Sequence, residues 1–416
     1  MTPNHSNWKQ KRFKELFRLD RGSSPRPIAN YITDDKDGVN WIKIGDAKED
    51  SIYIHSTKQK ISKAGAKKSR QVFKGEIILS NSMSYGHPYL LNLDGYIHDG
   101  WFVIRDYEKN FDRDFLLQYL GSAMVKNQYK KLAVGGVVSN ISRDLVYSIK
   151  AVIPPLPEQR KIARILAVWD KAIHTTKLLI DNSKQLKQAL TQQLLTGQKR
   201  LLDDFGQPFN KKWENKTLRE IGSTFNGLIG KTKTDFGFGK PYVPYLNIFR
   251  NTFTDMNHLD LVAIEKNETQ NSIHFGDILF TASSETLQEV GMSSVYLATT
   301  KENIYLNSFC FGFRPFSLRE ISPRFIGYML RSYDIRRQII ALSQGASRYN
   351  FSKTQLLKVS IPFPPLKEQQ KIAAVLTNID KKIDSLEHQV LHLRKEKKAL
   401  VQQLLTGKIH VNSKKE

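Results

Sequence analysis

Between Glu368 and Thr406, apolar residues return every seven positions. Ile372, Ile379, Leu386, Leu393 and Leu400 form one row, and Leu376, Ile383, Val390 and Leu404 form a second row four places on, broken only by Lys397. That spacing predicts one long helix with a coiled-coil seam. The same frame runs 210 residues upstream (368 − 158 = 210) through Ile162, Trp169, Thr176, Ser183 and Leu190 with Leu166, Ile173, Ile180 and Leu194, and it breaks at the matching Lys187. Glu158-Gln159-Arg160-Lys161-Ile162-Ala163 is answered by Glu368-Gln369-Gln370-Lys371-Ile372-Ala373. Over 158–196 and 368–406, 17 of 39 pairs are identical, where chance gives about two or three. The chain is therefore an internal duplication. Pro155-Leu156-Pro157 and Pro364-Pro365 forbid helix upstream, Glu158 and Glu368 favour the positive end of the helix dipole, and Gly197 and Gly407 are expected stops. At about 1.5 Å per residue each rod is about 58 Å long, too long for one turn-rich domain to bury, so the two rods are expected to pack on one another.

The segments before and between the rods repeat one domain. Trp8-Lys-Gln-Lys-Arg-Phe13-Lys-Glu-Leu16 lies over Trp213-Glu-Asn-Lys-Thr-Leu218-Arg-Glu-Ile221, and Gly75-Glu-Ile77-Ile-Leu79 over Gly276-Asp-Ile278-Leu-Phe280. Trp41-Ile-Lys-Ile44 and Tyr245-Leu-Asn-Ile248 complete a set of short strand patterns. A helix is expected over Phe115–Leu120 and Phe325–Leu330, and both domains close alike, on 135–142 and 345–352. Insertions fall mid-domain, where loops diverge. The expected layout is a mixed α+β domain over 1–150, a helix within 151–200, a second domain over 201–355 and a second helix within 356–416.

Composition narrows the partners. The 416 residues are 40% hydrophobic, enough for real cores, and 64 Lys and Arg against 40 Asp and Glu leave a net charge of +24. That excess points to a polyanion, first nucleic acid and second a membrane surface. No apolar run approaches 18 residues and the start carries no signal-peptide pattern, so a cytoplasmic protein without membrane attachment is expected. Cys310, the single cysteine, is expected to be a buried thiol, with no disulfide or cysteine zinc site.

A variable domain, a Pro-Leu-x-Glu-Gln-x-Lys-Ile-Ala helix, a second variable domain and a second such helix together resemble the specificity subunit of type I restriction-modification enzymes. The resemblance covers essentially the whole chain, and Gly345-Ala-Ser-Arg-Tyr-Asn350-Phe-Ser352 resembles the short Gly-rich segment that the family carries before the helix. The first copy departs, with Val152 for Pro362 and Val137-Val138 for Ser347-Arg348. The resemblance implies an α+β fold, two similar mixed α/β target-recognition domains joined by two long helices forming an antiparallel coiled coil. It implies a non-catalytic subunit in which each domain reads half of a bipartite double-stranded DNA target. The helices set the spacing and dock two methyltransferase subunits for adenine methylation, and motor-nuclease subunits join them for restriction. It places no cofactor on this chain: S-adenosylmethionine belongs to the methyltransferase partner, ATP and Mg to the motor-nuclease partner. A stand-alone bivalent DNA-binding regulator is the alternative.

The chain's own chemistry agrees. Gly227-Leu-Ile-Gly230-Lys231-Thr232 ends like a phosphate-binding loop, but the glycine required at 225 is Phe225. Phe236-Gly237-Phe238-Gly239 follows no apolar strand and reads as a Gly-rich turn, no Asn/Asp-Pro-Pro-aromatic methyltransferase motif occurs, and the ten histidines show no metal spacing. Positive signals concern DNA. Six cations lie within thirteen residues, Lys58, Lys60, Lys63, Lys67, Lys68 and Arg70, interleaved with small residues that let a phosphate backbone approach. Candidates for base edges are Asn81, Ser82, Ser84 and Tyr85 in the first domain and Ser283, Ser284, Glu285 and Gln288 in the second, with Arg26 and Lys231 candidates for either role. The helix seam is assigned to Ile162, Leu166, Trp169, Ile173, Leu190, Leu194, Ile372, Leu376, Ile379, Ile383, Leu386 and Leu400. Ser139-Asn140 and Tyr349-Asn350, near-equivalent in the two copies, are expected to shape the domain-helix junction.

Overall fold

A computed structural model describes residues 7–47, 51–82, 86–132 and 141–411. The chain folds as two compact units, residues 1–177 with 388–416, and residues 178–387. Two helices, Leu156–Leu195 and Leu366–Leu405, each give a segment to both units. Both helices begin two residues before the Glu-Gln pair. A proline in a first turn lacks an N–H that would have had no partner there, so Pro157 starts the first helix rather than blocking it. Gly197 and Gly407 sit at φ +72° and +67°, and each donates back to the carbonyl three residues earlier, ending the helix in the left-handed conformation that suits glycine.

The first unit carries two five-stranded sheets. One runs in the order Ile32–Thr33, Gln59–Ile61, Val39–Ile42, Gly95–Ile97, Arg70–Val72; the other runs Arg18–Arg21, Trp101–Arg105, Ile77–Ser80, Pro88–Leu91, Tyr53–Ile54. Ile77–Ser80 is buried throughout and central, which is why it reads as an unbroken apolar run rather than an alternating one. One face of the second sheet packs on the helix Arg113–Gly121, whose Phe115, Leu116, Tyr119 and Leu120 share a core with Ile162, Ala163 and Leu166 of the first long helix and Leu404 and Leu405 of the second. The beginning of one helix thus meets the end of the other: the pair is antiparallel.

The second unit repeats this plan. Gly222–Asn226, Cys310–Pro315, Ile278–Thr281 and Ser293–Val295 form the sheet under the helix Pro323–Leu330, and Asp260–Val262, Phe236–Val243 and Tyr305–Leu306 form the other. The parallel pairing of Trp41 with Tyr96 reappears as Tyr242 with Tyr305. Its core joins Leu194 and Leu195 to Ile372, Ala373 and Leu376, again end to beginning. Cys310 is buried in this unit, and burial pushes its thiol pKa up. One strand expectation fails: Tyr245–Arg250 is a short helix. Pro244 holds the chain extended just before it, and the buried amide of Asn247 is consumed by the carbonyls of Asp255 and His258, contacts that local alternation does not encode.

Each of the twelve residues assigned to the helix seam is buried or half-buried, as are Thr176, Ile180, Ser183, Val390, Leu393 and Leu404. Thr176 and Ser183 satisfy their hydroxyls by donating to the carbonyls of Ala172 and Leu179, four residues back in their own helix.

Candidate nucleic-acid interface

Each domain is welded to the helix pair by the same side chains. Gln159 donates to the carbonyls of Asn110 and Pro154, both at 2.9 Å, and accepts from the Asp112 N–H; Gln369 does the same with Glu320, Pro364 and Ser322, every partner displaced by 210. Glu158 accepts the Trp8 indole N–H at 3.1 Å, and Glu368 accepts that of Trp213 at 2.9 Å. The Glu-Gln pair is thus a structural weld beyond its dipole role. Its charge partners differ: Glu368, wholly buried, holds Arg200 through two bonds of 2.6 and 2.8 Å, whereas Glu158 faces His410 at 3.4 Å, and 410 is 200 displaced by 210.

The lysines that interrupt the seam have matching answers. Lys397 pairs with Asp170 and Lys187 with Asp380, both at 2.5 Å. Each carboxylate also accepts a bond from its domain, Asp170 from Gln118 at 2.8 Å and Asp380 from the Tyr328 hydroxyl at 2.7 Å. Burial, with Asp380 alongside, drives the Tyr328 phenol well above its ordinary pKa. Lys187 and Lys397 match in the sequence, and Asp170 and Asp380, at the same offset of 210, are the other half of that signal.

The basic run spans one sheet of the first domain, from Gln59–Ile61 beside one edge strand to Arg70–Val72 at the opposite edge. Lys60 lies half-buried on the strand Gln59–Ile61, and Lys63 and Lys67 are exposed around the short helix Lys63–Ala66. Lys63 pairs with Asp37 at 3.1 Å, Lys68 bonds the Tyr31 hydroxyl at 2.6 Å, and Arg70 donates to the Arg21 carbonyl at 3.2 Å. Arg26, exposed, sits 3.5 Å from Asp99 beside a groove of about 690 Å³ lined by Ser24, Trp41, Lys43 and His98. Bonding to Ser24 keeps the Asp99 carboxyl below its ordinary pKa, and burial lowers that of His98.

Several other candidates are turned to protein. Asn81 is 3% exposed and gives its amide to the Asp99 carbonyl; Ser82 is half-buried beside it. Ser84, Tyr85, Ser139 and Asn140 lie outside the described residues. The Lys231 side chain, 7% exposed, is spent on Glu268 at 2.5 Å, and that bond leads the contacts drawing the Glu268 pKa down to about 2. Ser283 and Ser284 are buried in a two-stranded ladder with Tyr349–Asn350, where Ser283 accepts from Arg348. Glu285 and Gln288 are exposed. Among the described residues no group of three or more His, Cys, Asp or Glu is placed to hold a metal, and no helix is long and apolar enough to cross a membrane.

Two copies of one scaffold, each welded to a shared antiparallel helix pair, define the class. The sequence matches the type I restriction modification DNA specificity domain twice, over residues 5–182 and 210–393, and the chain belongs to that family. It is 23% identical over 326 residues to the MjaVIII specificity subunit of Methanocaldococcus jannaschii, covering 74% of this chain and 73% of that one. To the EcoKI specificity subunit of Escherichia coli it is 21% identical over 289 residues, 68% of this chain and 62% of that one. In fold it is similar to the HsdS subunit of Thermoanaerobacter tengcongensis, with a TM-score of 0.51 at 18% identity over 97% of this chain and 98% of that one. A chain from a study of complex assembly and conformational transition in a type I R-M system matches with a TM-score of 0.60 at 17% identity, covering 98% of this chain and 100% of that one.

Proposed function

We propose that this chain is the non-catalytic specificity subunit of a type I restriction-modification system, its two domains (1–150 and 201–355) each reading one half of a bipartite DNA target. The observation that carries this reading is the repeated weld: one scaffold is built twice and fixed to the helix pair by the same Glu, Gln and Asp side chains, as independent reading of two half-sites requires. The net charge of +24 and the exposed cations at Lys63, Lys67 and Arg70 suit a phosphate backbone. The helices, within 151–200 and 356–416, set the half-site spacing and dock two methyltransferase subunits, which bring S-adenosylmethionine. Motor-nuclease subunits using ATP and Mg complete the restricting enzyme.

The test is methylome sequencing of cells with and without the chain, paired with assay of the purified protein. The chain alone leaves DNA unmethylated and uncut, and adding its methyltransferase produces adenine methylation at one split sequence. Replacing the first domain, joined before Pro154, changes one half of that sequence only. Methyl transfer by the chain alone contradicts the reading, and co-purification without any methyltransferase would favour a stand-alone DNA-binding regulator.

A further inference from the structure

In both units the chain pairs with one residue of a neighbouring strand, leaves it, and returns to pair with that same residue. In the first unit Ile32 and Val39 both register with Ile61; in the second Phe236 and Lys240 both register with Val262. What is carried across differs entirely. The first unit presents Asp34-Asp35-Lys36-Asp37, all exposed, next to Lys60 and Lys63. The second presents Gly237-Phe238-Gly239, with the glycines at φ +104° and +99° and Phe238 58% exposed. A Cβ on Gly239 would stand 2.5 Å from the Val262 carbonyl oxygen, so that position needs glycine twice over. The phenyl ring is the only side chain on this crossing, flanked by the exposed Lys233 and Lys240.

Resting on the reading above, we infer that this crossing is a base-contacting loop of each domain, and that Phe238 contacts the 5-methyl group of a thymine in the major groove. Two copies of one scaffold on one polymer can read different bases only where equivalent positions carry different chemistry. Here carboxylates, acceptors for the amino groups of cytosine, stand where the other copy has an apolar ring, a partner for the thymine methyl. The neighbouring cations supply the phosphate contacts that seat such a loop.

The experiment uses the chain assembled with its methyltransferase and duplexes carrying the target defined by its methylome. Within the half-site assigned to residues 201–355 by domain replacement, each thymine is exchanged singly for uracil, which removes only the methyl group. One exchange is expected to weaken binding about tenfold. Phe238→Ala weakens binding to the thymine duplex by about the same factor and abolishes the thymine–uracil difference, leaving the other half-site unchanged. Phe238→Leu keeps an apolar contact and most of that difference, and circular dichroism checks that both variants fold. A complex with no sequence preference removes the underlying reading and this inference with it, a result distinct from any thymine–uracil pattern. With preference intact, an equal thymine–uracil difference in wild type and Phe238→Ala overturns the contact. So does a rise in 2-aminopurine fluorescence that depends on Phe238, because it signals an unstacking wedge instead.

Discussion

Glu158 and Glu368 occupy the same place in the duplication, so replacing each by alanine measures what their different partners contribute. The helix-dipole contribution and the indole bond are common to both and cancel in the comparison. Glu368 is wholly buried and holds the Arg200 guanidinium through two charge-assisted bonds. Removing one partner of a buried pair costs about 3–5 kcal/mol. The lower end applies because the Arg200 side chain is 25% exposed and keeps a bond to the Lys211 carbonyl. Glu158 faces His410 at 3.4 Å, and that histidine side chain is 47% exposed, so losing this contact in Glu158→Ala should cost about 1 kcal/mol beyond the common losses. Urea unfolding, followed by the fluorescence of the five tryptophans, should therefore show a loss about 2 kcal/mol greater for Glu368→Ala than for Glu158→Ala. Arg200→His should bring the second weld down towards the first. Equal losses, or a larger one for Glu158→Ala, would refute the assignment of the difference to the guanidinium.

Three further outcomes are expected. Replacing Lys67, Lys68 and Arg70 by glutamine should weaken binding to all DNA sequences alike and flatten the salt dependence by about 0.9 log units per lost contact, measured by fluorescence anisotropy across a salt series; a changed recognition sequence would mean that they read bases. A double-mutant cycle over Lys187→Met and Asp380→Ala should give a coupling of about 1 kcal/mol, as should Lys397→Met with Asp170→Ala, because each pair is only partly shielded. His87 is held down at about 4 by burial and then by Lys126, so the folded first unit favours the neutral imidazole. The stability it contributes is full above the ordinary value of 6.5 and falls as pH drops from about 6.5 towards about 4, by about 1–2 kcal/mol after discounting for partial exposure; thermal unfolding of His87→Asn should lack that slope.

The long helices were legible because a heptad is a local, repeated signal, and even the polar positions Thr176 and Ser183 lie in the buried row. The duplication was legible in the shared 210-residue offset. Side-chain commitments were not. Nothing near Lys231 in sequence announces Glu268, 37 residues away, and the burial of Asn81 depends on a carbonyl 18 residues on. Tyr245–Arg250 misled for the same reason, its amide partners lying in a later loop. Phe236–Gly239 reads as a Gly-rich turn, because its equivalence to the crossing at Asp34–Asp37 rests on strand register rather than on any shared residue.

The glutamine weld has a consequence for how such a chain can change. The hydrogen bonds of Gln159 and Gln369 to their domains go to main-chain atoms, which belong to Asn110 and Asp112 in one copy and to Glu320 and Ser322 in the other. A joint made to peptide groups does not register which side chains hang from them. Mutational drift within a recognition domain can therefore run far without loosening its seat, and the joint becomes a fixed socket into which unrelated surfaces can be plugged.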